Sequence, residues 1–296
     1  MSVPFLAPHF TNLGRRVALA LLAVSLAGCS LFSNQPPLPR NASLSRAARP
    51  RTGTDFPALV ATADVVYFPA ERAASGGRME PSAQVLDAMR ESGRPLAIGW
   101  DLIDDTQQPL LDQLQGKSGA AREELIGRLE LTGTGRAREH CRAVLRDPRL
   151  TGLSHFALGC PTTLRAALES HQRLNAAEAR QLPVGYTPPA GGFEAYSERL
   201  AANNNPGERA LPASYRAYVA GQQYAADKIV RHFRESGGQG KVLVFLRASE
   251  MEAGAGVPRY VAQKLQLRQL VLDSSGSAPV RPKLLTDRER IGSGLF

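Results

Sequence analysis

Six residues, Lys241 to Leu246 (KVLVFL), leave the chain few choices. Beyond the leading lysine the run is wholly apolar; Gly237-Gly238-Gln239-Gly240 precedes it and Arg247 ends it. A short apolar run without polar alternation is the pattern of a strand buried on both faces of a sheet. Burial on both faces requires a layer of helices on each side. Past Arg247 a polar loop (Ala248 to Ala255) leads to Gly256-Val257-Pro258. Proline suits the first turn of a helix, where its missing N–H is not needed. An inner strand therefore runs into a charged loop and then a helix. In open α/β sheets that carboxyl end is where ligands bind.

Other runs fit the same plan. Asp64 to Phe68 (DVVYF), Pro95 to Gly99 (PLAIG), Leu153 to Leu158 (LSHFAL) and Arg268 to Leu272 are further strands. A helix over Pro81 to Glu91, with Val85, Leu86 and Met89 on one face, separates the first two of these. Strand, helix, strand in that order argues for parallel βαβ units. A helix capped by Thr162 or Thr163 is predicted after Cys160-Pro161. Tyr215 to Phe233 is the longest helix, with an apolar stripe at helical spacing, and Pro258 to Gln266 is the last. Val184 to Gly192 and Ala202 to Gly207 read as loops. The fold class is α/β, a largely parallel central sheet with helices on both faces and a helical insertion from about Gln107 to Asp147.

The first 28 residues read as a leader. Arg15-Arg16 form a positive region, and Val17 to Ala27 is an apolar run too short to span a bilayer. Leu26-Ala27-Gly28-Cys29 then reads as a lipobox, which makes Cys29 the site of lipidation. Residues 29–55, rich in Pro, Ser, Asn and Arg, read as a disordered tether. Residues 56–273 form the domain, and 274–296 a loose tail. The protein is thus expected to be held to a membrane by its lipid, with Ser30 after the cysteine favouring the outer membrane and a periplasm-facing domain. Removing the leader takes away Arg15 and Arg16 and no acid, so the net charge of +9 falls to +7. Basic residues are scattered with no aromatic platform, which argues against nucleic acid as a partner. Cys141 and Cys160 are either one disulfide or two buried thiols. No zinc-ligand spacing is present, and His155, inside an apolar strand, reads as a core residue.

Four segments carry a resemblance: ADVVYFPAER, LAIGWDLIDDTQQPLLDQLQG, AYVAGQQYAADKIVRHF and KVLVFLRASEMEAGAGVPRY, with a weaker fifth in FALGCPTTLRAAL. In this order and spacing the chain resembles the ChaN-like haem-binding uptake lipoproteins of the Tiki and erythromycin-esterase-like superfamily. The resemblance implies a haem or iron-compound cofactor, a cleft at the strand ends, and uptake machinery of the outer membrane as partner. It also marks departures. Pro69, Ala70 and Arg72 stand where the family has Gly, Glu and His. Glu250 stands at the second histidine, Arg247 at a preceding glycine, and Asp101 at a glutamate. Gln223 and Asp227 keep the family's helix motif and, four apart, share one face.

Imidazole is both a metal ligand and a base near pH 7; arginine is neither. Losing both histidines implies a degenerate site without catalysis, in which Arg72 pairs with Glu250, or Arg72 or Arg247 holds carboxylates bidentately. The ligand-binding candidates are Arg72, Asp101, Gln223, Asp227, Arg247 and Glu250. Asp101, Asp104 and Asp105 suit either a cation or a helix cap. Tyr67, Tyr186, Tyr215, Tyr218, Tyr224 and Tyr260 matter because a phenolate can hold ferric haem. Two rivals stand beside the haem reading: a hydrolase using Glu250 and Asp101 as acid and base, and a pseudoenzyme serving as a tethered interaction module.

Overall fold

A computed structural model describes residues 56–75, 77, 79–170, 173–187, 192–203, 212–251, 256–272 and 282–284. The leader, Cys29, the tether and most of the tail lie outside the described residues. Helix α1 (Phe56–Thr62) opens the domain and β1 (Val65–Pro69) follows it. Next come α2 (Glu80–Arg90) and β2 (Leu96–Asp104). The insertion supplies α3 (Gln108–Leu114), α4 (Gly119–Arg128) and α5 (Gly135–Arg146). Then β3 (Ser154–Gly159) leads to α6 (Thr162–Glu169), α7 (Ala176–Gln181), α8 (Phe193–Asn203) and the long α9 (Pro212–Glu235). Finally β4 (Lys241–Leu246), α10 (Val257–Lys264), β5 (Gln269–Leu272) and β6 (Pro282–Leu284) complete the described chain.

The strands form one sheet in the order β3-β2-β4-β1-β5-β6. β1 to β5 are parallel, and β6 pairs antiparallel with β5. β4 lies at the centre, buried along its whole length between β1 and β2, as its apolar run requires. Alternation divides its side chains. Leu243 and Phe245 join Val66, Phe68, Ile98 and Trp100 in the core under α1 to α5. Val242, Val244 and Leu246 join Val65, Tyr67 and the α9 stripe of Ile229, Val230 and Phe233 on the other face. Trp100 stacks on Phe245 at 4.9 Å between ring centroids. Burying each such ring contributes about 2–3 kcal/mol.

Several expectations need correction. β2 runs on to Asp104 where a strand ending near Gly99 was expected, because its pairing with β3 shifts register between Trp100 and Asp104. That passage is tight: a Cβ on Gly159 would lie 2.5 Å from the Ile103 carbonyl oxygen. The insertion is interrupted at 129–134, where Thr132 N–H bonds to Leu102 O and Leu131 bridges Ile103. The tail is not wholly loose, since β6 pairs with the otherwise open edge of β5. Thr162 does not cap α6 but is its first residue; the flanking position is Pro161, which has no side-chain donor or acceptor. Cys141 and Cys160 are separate buried thiols, one in the core under α1 to α5 and one beside α6 and α9. Among the described residues no helix is long and apolar enough to cross a membrane.

Candidate functional site

Parallel strands bring the carboxyl ends of β1, β2, β3 and β4 to one edge of the sheet. At its centre β4 delivers Arg247, which is followed by a one-turn 3-10 helix, Ala248–Glu250. That turn places Arg247 and Glu250, three apart, side by side. Arg247 Nε donates to Asp101 Oδ2 at 2.8 Å, and Nη2 donates to Glu250 Oε1. Asp101 is 2 % exposed and Glu250 3 %. Burial, opposed by Arg247 and aided by Asp101, pushes the Glu250 carboxyl up to about 7. The two carboxylates hold the Arg247 guanidinium charged, with its pKa raised against the effect of burial.

This geometry corrects the predicted Arg72–Glu250 pair. Arg72 ends the turn Ala70–Arg72 after β1 and is half-buried, while the guanidinium on Glu250 is that of Arg247. Arg247 in turn commits Nε and Nη2 to protein carboxylates rather than to a ligand. The turn itself is pinned from two sides. Ala248 N–H donates to Glu71 Oε2, and Tyr218 O–H donates to Ser249 O at 2.7 Å.

Acids at the end of β2 serve the backbone. Asp104 accepts from Thr106 N and Oγ1 and from Thr162 N and Oγ1, all within 2.7–2.9 Å. Burial opposes ionisation there, but these four bonds outweigh it and lower the Asp104 pKa. Asp105 accepts from Tyr224 O–H at 2.5 Å and pairs with Lys228. The cap reading thus holds for Asp104 alone, since Asp105 is held by side chains and Asp101 lies within β2 on Arg247. Among the described residues no group of acids, histidines and cysteines is arranged to hold a metal.

The helix motif on α9 is divided, Gln223 turning inward and Asp227 lining a groove beside α6. Gln223 takes the Thr187 backbone at both ends, accepting from its N–H at 3.1 Å and donating to its carbonyl at 2.8 Å. Asp227 pairs with Lys264 at 3.1 Å and Arg231 at 3.3 Å. His155 accepts from Trp100 Nε1 at 3.2 Å, and burial pushes it down to about 4, so it is a neutral core residue. Tyr67 is fully buried and donates to Gln269 Oε1, which removes it from any ligand.

Two grooves open around the start of α6. One, of about 430 Å³, lies between α6, α7 and α9 and is lined by Thr163, Arg180, Tyr224 and Lys228. The other, of about 520 Å³, lies between Thr162 and the 128–132 segment. Neither is lined by Asp101, Arg247 or Glu250.

The feature that sequence reading missed is aromatic. Phe193 and Tyr196 on α8 face Tyr215 and Tyr218 on α9, all half-buried. Ring centroids are 6.0 Å apart for Phe193–Tyr215, 5.1 Å for Tyr196–Tyr215 and 4.9 Å for Tyr196–Tyr218. The shelf adjoins the strand-end corner through the Tyr218–Ser249 bond. Its signal was present as two pairs of aromatics three apart, each on one helix face. Tyr215 and Tyr218 stand among the candidate phenolates, but α8, which meets them, is not predicted from the sequence.

Comparison with known proteins adds one relation. No family model and no curated protein matches the sequence. Among solved structures the chain is similar to ChaN of Campylobacter jejuni, which binds haem cofacially. The TM-score is 0.55 at 13% identity, over 76% of this chain and 88% of that one. At that identity the likeness is one of architecture: the domain has a ChaN-like α/β fold.

Proposed function

We propose that this protein is a non-catalytic binding protein for haem or a similar flat iron compound, taken at the aromatic shelf of Phe193, Tyr196, Tyr215 and Tyr218. The observation that carries the reading is that shelf, three tyrosines and a phenylalanine linked in a chain of ring contacts beside the strand ends. A fold shared with a haem-binding protein supports it. The residues suit the group: aromatic faces stack on a planar macrocycle, and a tyrosine phenolate is an established ligand of ferric haem. Arg247 takes no part in holding propionates, being tied to Asp101 and Glu250. In this proposal Cys29 carries the lipid that tethers the domain to the outer membrane, facing the periplasm.

The test is a haem titration of the whole chain carrying Cys29→Ala, followed at the Soret band. Saturable binding is expected, weakened about tenfold or more by at least one of Tyr196→Phe, Tyr215→Phe and Tyr218→Phe, an effect of the size of a lost ligand bond. Tyr67→Phe, deep in the sheet, is the control. Absence of a saturable Soret change, or binding indifferent to all three shelf substitutions, overturns the reading.

One observation favours a second reading, a tethered interaction module: the corner at the end of β4 is filled by the Asp101–Arg247–Glu250 cluster. The hydrolase reading requires Asp101 and Glu250 to converge, and they do. Both are nevertheless turned onto Arg247, are buried, and line neither groove, so acid–base chemistry is not part of the proposal.

A further inference from the structure

The corner at the end of β4 carries a charge that its partners do not balance. Two buried carboxyl groups share one guanidinium. Among the described residues, Glu250 Oε2 is buried without a hydrogen-bond partner. An ionised oxygen in that position is costly, because nothing replaces the water it has lost. A protonated one is not, since the neutral acid needs no counter-charge and has Asp101 beside it.

Among the described residues, the other ionisable groups around this carboxyl do not supply the missing charge in contact. Arg165 on α6 attracts it through space without a hydrogen bond. Cys160, just past β3, is a thiol that burial pushes up to about 12, hence neutral. Tyr218 on α9 turns its hydroxyl to Ser249 O. Glu71, after β1, accepts from the Ala248 N–H at the other end of the turn.

We propose that this corner is a proton-operated latch: a proton on the Glu250 carboxyl keeps the Ala248–Glu250 turn docked, and its loss as pH rises releases the turn. With the proton gone, two anions face one cation in a desolvated space, and the cheapest relief is for Glu250 to reach water. Glu250 ends the turn whose middle residue, Ser249, holds Tyr218. Release therefore unties a shelf tyrosine. This last link rests on the haem reading; the latch does not.

The direction follows from burial. Glu250 holds its proton up to about 7 in the fold, against 4.5 ordinarily. Between those values the folded state binds more protons than the unfolded one, so rising pH costs stability through that window, and the cost is complete above it.

The experiment is amide hydrogen exchange on the whole chain, with protection factors for Ala248, Glu250 and Met251. In the wild type, protection falls about tenfold or more between about pH 5.5 and about pH 8.5 as the Glu250 proton is lost. Glu250→Gln, a neutral isostere, stays protected at both. Asp101→Asn also removes the excess charge and serves if the first variant folds poorly. Wild-type protection that ignores pH, or that falls equally in Glu250→Gln, overturns the latch. A haem titration across the same range separates the two proposals. Protection that tracks the Glu250 proton without haem binding at any pH leaves the latch standing and removes the haem reading. Haem binding with pH-independent protection does the reverse.

Discussion

A guanidinium carries five N–H donors in a rigid fork, and Arg247 uses that fork to join two strand ends. One arm reaches Asp101 inside β2, and another reaches Glu250 three residues along its own chain. Removing it leaves two buried acids with no cation in contact. Arg247→Met keeps the length and apolar stem, and is expected to cost about 3–5 kcal/mol, the usual loss when one partner of a buried ion pair is removed. Arg247→Lys should recover only part, because an ammonium does not fork. In the double variant Arg247→Met with Glu250→Gln, the loss should be smaller than the sum of the singles, since the residues touch. Urea unfolding monitored by circular dichroism measures all three. A cost for Arg247→Met under about 1 kcal/mol, the level of a surface pair, would contradict the account. The residues of this corner were legible in the sequence, but their pairing was not. A spacing of three matters only if the loop makes a helical turn, and a charged stretch after a strand gives little sign of doing so.

Among the elements, α6 depends on a residue far from it in sequence. Its flanking Pro161 offers no side-chain acceptor, and Asp104, at the end of the neighbouring strand, bonds to Thr162 N and Oγ1 instead. The same carboxylate accepts from Thr106 at the start of the 3-10 turn Asp105–Gln107. Asp104→Ala is therefore expected to cost about 1–2 kcal/mol, the upper part of the range for a lost N-cap. Asp104→Asn should cost less, keeping one acceptor oxygen but not the charge that favours a helix N-terminus. Thermal unfolding of both variants, with exchange of the Thr162 amide, checks the order; equal stability of Asp104→Ala and wild type would refute it. This layer explains what sequence could supply. The inner strands were readable through their apolar runs, except for the far end of β2, where buried Asp101 and Asp104 break the run. The α6 cap was not, since its acceptor lies 58 residues away. Helix α7 was within reach, as Asn175 and Glu178 form a capping box whose spacing is visible in the sequence. β6, three residues paired to a free edge, carries no alternation to read.

At the scale of the whole molecule, the edge opposite the candidate site is closed by a single carboxylate. Asp64 precedes β1, and its side chain accepts from Arg94 Nη1 at 2.6 Å, Arg268 Nη2 at 3.0 Å and the Arg268 amide at 2.9 Å. Arg94 also donates to the carbonyls of Gly238, Gln239 and Gly240, the turn that enters β4. One acid thereby ties the entries of β1, β4 and β5 together. Burial resists its ionisation, yet the bonds from Arg268 and Arg94 outweigh that and hold it near 2, against an ordinary 3.8. A depressed pKa adds stability that is complete above the unfolded value and is lost as pH falls through the folded one. The wild type should accordingly lose stability between about pH 4 and pH 2, and Asp64→Asn should lose about 1 kcal/mol less over that interval, the figure being reduced for solvent screening around the exposed Arg268. His155 acts in a different window: held down to about 4, it costs stability as pH falls from 6.5 and adds nothing further below its folded value. Comparing the two proteins below pH 4 thus isolates Asp64. Urea midpoints measured across that range decide the matter, and parallel acid limbs for wild type and Asp64→Asn would show that the edge is held by its backbone pairing alone.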